Sequence, residues 1–146
     1  MAKIDAFFNL MFEQNASDLH LASGNPPMLR INGEMQRVDY PDLENDDLKE
    51  MLYEITPEYK AKVYEETGDV DFGYEIPGVS RFRANFFNQK NGVAAVFRQI
   101  PSTVLSFEDF EKFDAPLPPV LKKFAMYQKG LVLVTGPTGS GKSTTM

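Results

Sequence analysis

The 146 residues suit one domain, or one domain and a piece of another, and 42% hydrophobic with 25% charged residues is an ordinary globular composition. A net charge of −6 disfavours non-specific binding to nucleic acid or to an anionic membrane, both of which need Lys and Arg. With no cysteine and His20 as the single histidine, disulfides, thiolate metal sites and polyhistidine sites are excluded; no apolar run reaches the ~20 residues of a membrane span, and the start lacks a secretion-signal cleavage site, so no membrane insertion and a cytoplasmic location are expected.

Ile4, Phe7, Phe8, Met11 and Phe12 recur at helical spacing and predict an amphipathic helix over residues 3–15. Ser17 to Ala22 alternates, with Leu19 and Leu21 on one side and Asp18 and His20 on the other, which predicts a strand with one buried face. In "MLRINGEMQRV" the pair Asn32-Gly33 between alternating runs predicts a hairpin. Asn45 is a candidate cap for a helix carrying Leu48, Met51, Leu52 and Ile55. Thr56-Pro57 stops it and starts another, with Pro57 at the first helical position and Gly68 at the end.

Residues 69–101 predict a three-stranded meander, turned at Pro77-Gly78 and at Asn91-Gly92. Phe82, Ala84 and Phe86 share one face of its middle strand; Arg81, Arg83 and Asn85 share the other. Together these elements predict an α+β domain, helices against an antiparallel sheet.

Beyond Pro101 the texture changes. Ser106 and Asp109 have capping spacing for a short helix with Phe107, Phe110 and Phe113, a cluster better suited to packing than to holding a ligand. "DAPLPP" suggests a linker, and Leu117, Leu121 and Phe124 mark one more helix, ended by Gly130. "LVLVT" is the continuous apolar run of a strand buried on both faces in a parallel sheet. The expected division is a first domain over 1–100, a linker with a short helix over 101–119, and the start of a second domain over 120–146.

Gly136-Pro137-Thr138-Gly139-Ser140-Gly141-Lys142-Ser143 fits the phosphate-loop pattern G-x-x-x-x-G-K-[ST], with Thr144 behind it. The glycines let backbone N–H groups turn inward around phosphates, Lys142 would reach the β- and γ-phosphates, and the Ser143 hydroxyl would bind Mg²⁺. A glycine-rich turn matching by accident is the plain alternative; the apolar run leading into the loop argues against it. ATP and Mg²⁺ are the expected cofactors. Hydrolysis also needs an acidic residue beside the loop, expected beyond Met146, so no catalytic residue is assigned within the chain.

"ASDLHLASGNPPMLRINGEM", "GVSRFRANFFNQKNGVAAVFRQIP" and "GLVLVTGPTGSGKSTT", in this order, resemble the secretion-superfamily ATPases, and within them the PilT-type motors that retract type IV pili. The resemblance implies a PAS-like N-terminal domain joined to the first strand and phosphate loop of a RecA-like domain, cut short here. It implies a homohexamer in the full-length protein, a pilus platform protein of the inner membrane as partner, and domain movement driven by ATP hydrolysis. It also implies that Arg81, Arg83 and Arg98 contact nucleotide phosphates. From spacing alone, Arg81 and Arg83 could equally belong to a solvated sheet face paired with Glu75 or Asp71, and the face of Arg98 is unclear. Asp18 and His20 lack a third partner for acid–base chemistry, so a structural or subunit-contact role is expected. A pilus-assembly or type II secretion ATPase is the alternative for the whole protein, and an interaction or oligomerisation module is the alternative for the chain in isolation.

Overall fold

The computed structural model describes residues 2–100, 106–113, 116–136 and 141–146. The chain divides into two units, Met1–Ser102 and Thr103–Met146.

In the first unit, helix α1 (Asp5–Glu13) precedes strands β1 (Asp18–Ala22), β2 (Met28–Ile31) and β3 (Glu34–Arg37). Helices α2 (Asn45–Glu54) and α3 (Glu58–Thr67) follow, then β4 (Asp69–Ile76), β5 (Ser80–Gln89) and β6 (Gly92–Ile100). All six strands join one antiparallel sheet in the order β3-β2-β1-β6-β5-β4. The first three strands and the last three each pair by simple hairpins. The pairing of β1 with β6 welds the two sets together, with Asp18 opposite Arg98 and Leu19 opposite Phe97. This is an α+β fold.

One face of the sheet is the core. Phe82, Ala84, Phe86, Ala95, Phe97, Leu19 and Leu29 meet Ile4, Phe8 and Met11 from the α1 segment and Leu48 and Leu52 from α2. Phe8 sits at the centre, its ring 4.5 Å from that of Phe82 and 4.8 Å from that of Phe97. Offset and edge contacts of this kind suit the aromatic quadrupole.

The turns follow their chemistry. Asn32 and Gly33 both have positive φ, 51° and 87°, as a two-residue primed hairpin turn requires. The β5–β6 hairpin differs from expectation. Gln89 pairs with Gly92, so Lys90 and Asn91 form the loop and Gly92 is the first residue of β6. Gly92 has φ of 125°, and a Cβ there would lie 1.9 Å from Asn45 Oδ1. That approach corrects the role of Asn45. It makes no side-chain cap; instead its Oδ1 accepts from the Val93 N–H at 3.0 Å and the Ser23 hydroxyl at 3.1 Å, tying α2 to the sheet. Pro57 lies one residue before α3 and not inside it.

In the second unit, α4 (Phe107–Phe113) opens with the expected capping box: Asp109 N–H donates to Ser106 Oγ at 3.2 Å, and Ser106 N–H donates to Asp109 Oδ2 at 3.1 Å. Pro118 and Pro119 stand in the first turn of α5 (Leu117–Ala125), where a missing N–H costs nothing. The expected strand over 131–135 is not formed. Among the described residues no strand supplies it with ladder partners, and Leu131 and Leu133 are 81% and 72% exposed. A strand of a parallel sheet cannot exist without a neighbour. The last element is α6 (Lys142–Thr145).

Candidate functional site

The candidate phosphate loop is described at its two ends. Gly136 has φ of 153° and Gly141 of 84°, and Gly141 leads directly into α6. Lys142 Nζ donates to the Gly136 carbonyl at 2.9 Å, so the lysine bends back over the start of its own loop. Thr145 Oγ1 and N–H both bond the Gly141 carbonyl, at 2.9 and 3.0 Å, closing the first turn of α6. Pro137, Thr138, Gly139 and Ser140 lie outside the described residues, as do the side chains of Ser143 and Thr144.

The donor set fits a magnesium nucleotide. Residues 136–144 hold three glycines, one lysine and four hydroxyl side chains, and no acid that would repel phosphate. No aspartate or glutamate occurs anywhere from Ala115 to Met146.

Arg81, Arg83 and Arg98 lie on the open face of the sheet, away from the core. Arg83 and Arg98 stand directly opposite one another on β5 and β6, which settles the face of Arg98. Each arginine meets a carboxylate. Arg81 Nε lies 3.6 Å from Glu75, an exposed and loose pair. Arg83 grips Asp71 at two points, Nε to Oδ1 and Nη2 to Oδ2, both 3.0 Å. The hydrogen bond from Arg83 is the main reason the Asp71 carboxyl is held below its usual range. Arg98 donates from Nε to Asp18 Oδ1 at 2.8 Å. Arg83, Arg98, Asn85, Val96 and Asp71 line a shallow hollow of about 370 Å³.

Asp18 is the residue whose burial alternation misses. It is on the outer face, as expected, yet its side chain is only 5% exposed. Arg98 covers it from β6, Arg30 Nε approaches Oδ2 to 3.5 Å from β2, and the Ser17 hydroxyl donates to Oδ2 at 2.8 Å. Burial pushes the carboxyl up, but the bonds from Arg98 and Ser17 outweigh it and leave the group below its ordinary value. In sequence Asp18 is only one acid on a strand; its nearest cross-strand partner, Arg98, comes from a strand far along the chain.

His20 does not share in this. Its Nε2 is buried with no hydrogen-bond partner among the described residues. Burial lowers its pKa, with the positive Arg30 and Arg98 adding to the effect and Asp18 opposing it, so the ring is neutral near pH 7. Asp18 and His20 are not brought together as an acid–base pair.

A model of the family described as type II/IV secretion system protein matches residues 1–146. The chain belongs to that family. Within it, the chain is 48% identical over 134 residues to the type IV pilus retraction ATPase PilT of Pseudomonas aeruginosa, covering 92% of this chain and 38% of that protein. It is 45% identical to a twitching motility protein of Neisseria gonorrhoeae, covering 82% of this chain and 31% of that one. Among solved family structures, the pilus retraction motor PilT with bound ADP superimposes with a TM-score of 0.79 at 38% identity, over 99% of this chain and 41% of that one. The chain thus spans well under half the length of these family members. No helix among the described residues is long and apolar enough to cross a membrane.

Proposed function

We propose that a protein of its relatives' full length carrying these 146 residues is a hexameric ATPase motor that powers type IV pilus retraction. Residues 1–100 form its PAS-like N-terminal domain, 101–119 a linker with a short helix, and 120–146 the start of a RecA-like domain. The observation that carries this is the glycine-framed loop with Lys142 folded over its entrance, in a chain 48% identical to a retraction ATPase. The backbone N–H groups of residues 136–144 cradle the phosphates of ATP, and Lys142 exchanges the Gly136 carbonyl for phosphate oxygen. The Ser143 hydroxyl would hold Mg²⁺, which when bound would supply positive charge beside the phosphates. Arg81, Arg83 and Arg98 contact nucleotide phosphates in the assembled ring. The motor works in the cytoplasm against a pilus platform protein at the inner membrane.

The test is ATP turnover by the full-length protein and its Lys142→Ala variant, followed by pilus counts in cells. Turnover lost in Lys142→Ala, with excess surface pili in cells carrying that variant, is the expected result. Bald cells would assign the motor to assembly. Residues 1–146 alone are expected to show no turnover above the Lys142→Ala control, because no carboxylate follows Asp114 to activate water.

A further inference from the structure

The arginines of the open sheet face are held by two carboxylates in different ways. Asp71 takes both Nε and Nη2 of Arg83, the same fork that would grip a phosphate. Asp18 takes only Nε of Arg98, and no other bond of that guanidinium occurs among the described residues. The Arg98 side chain is 61% exposed and lines the hollow, while its anchor is 5% exposed and fixed from three sides.

We infer that Asp18 and Asp71 act oppositely on one oxyanion site: Asp18 is a positioning residue that presents Arg98 to a phosphate, and Asp71 is a latch that occupies Arg83 until a phosphate displaces it. This rests on the arginine contacts proposed above. The ligand class is a di- or triphosphate chain, whose adjacent oxyanions suit two guanidiniums opposite each other on neighbouring strands. The two carboxylates are distinguished by burial. The half-exposed Asp71 pair opens at small cost, since such pairs contribute little in water. The buried Asp18 holds its arginine against the long side chain's freedom, which an incoming anion would otherwise have to restrict itself.

Simple charge removal predicts that neutralising either acid tightens anion binding. Positioning predicts opposite signs. The experiment titrates pyrophosphate into the full 146-residue chain and follows the Nε–H resonances of Arg83 and Arg98 by NMR. Asp71→Asn should bind roughly two- to fivefold tighter, the value of one exposed pair. Asp18→Asn should bind several-fold weaker, with thermal melting run alongside to check that it folds. Should it not fold, Arg98→Lys serves: it keeps the charge on an exposed side chain but has no Nε for Asp18 to hold, and it should weaken binding likewise. Tighter binding by Asp18→Asn, or undiminished binding by Arg98→Lys, overturns the positioning role while leaving the arginine contacts standing. Arginine resonances that ignore pyrophosphate in every variant overturn both.

Discussion

Val93 to Phe97 and Leu131 to Val134 are equally apolar on paper. In β6, Val93, Ala95 and Phe97 are at most 4% exposed; all three pair with β5, and Ala95 and Phe97 pair with β1 as well. In the second unit, Leu131, Val132 and Leu133 are 48–81% exposed, with no ladder partner among the described residues. Hydrophobicity therefore does not bury a strand by itself. Burial needs a neighbour whose N–H and C=O groups accept the backbone and whose side chains fill the other face. Charge is uneven along the chain as well: all 21 acids precede Ala115, so the glycine-rich loop belongs to a segment whose only charged side chains are lysines.

The comparison can be broken most forcefully at Phe82. Phe82→Ala removes a fully buried ring stacked on Phe8, and should cost about 3–5 kcal/mol in denaturant unfolding of the first unit. A loss under 1 kcal/mol would mean that this core is not what holds the sheet. Gly92→Ala should cost about 2 kcal/mol by the same measurement, because its Cβ collides with Asn45 Oδ1 and its φ suits glycine.

Tyr74 gives a smaller, pH-dependent effect. Its hydroxyl donates to Asp5 Oδ1 at 2.9 Å, and burial first, then that bond and the Asp5 charge, push its pKa up to about 12. A raised folded pKa means the stabilisation is complete below the unfolded value near 10 and is lost as pH rises toward 12. Tyr74→Phe should cost about 1 kcal/mol at neutral pH and remove that alkaline dependence, with phenolate absorbance reporting the late ionisation in the parent chain. Least of all, Leu133→Ser should change the unfolding of either unit by no more than about 0.5 kcal/mol, the value for an exposed position. A large effect would show that the exposed run is packed in solution.

Where a residue's environment is set by its near neighbours in sequence, it was readable. The helix around Phe7, Phe8 and Met11 and the meander from Asp69 to Ile100 follow from periodicity and turn residues. Even the Arg81–Glu75 and Arg83–Asp71 pairs were visible as an alternative, because the Pro77-Gly78 turn fixes the register of β4 on β5. What was not readable depends on strands far apart in the chain. Asp18 is buried because Arg98 arrives 80 residues later, and Asn45 looks like a helix cap until Val93 is placed beside it. The 131–135 run is the complementary case: its composition describes a strand of a parallel sheet but cannot supply the neighbour that such a strand needs.

The meeting of Asn45 with Gly92 has an evolutionary corollary. One amide oxygen there serves two donors, and the space it occupies exists only because the facing residue has no side chain. Neither position can drift alone: a larger residue at 92 evicts the amide, and a shorter one at 45 strands a backbone donor. Across homologous sequences the two should be retained as a couple or exchanged together.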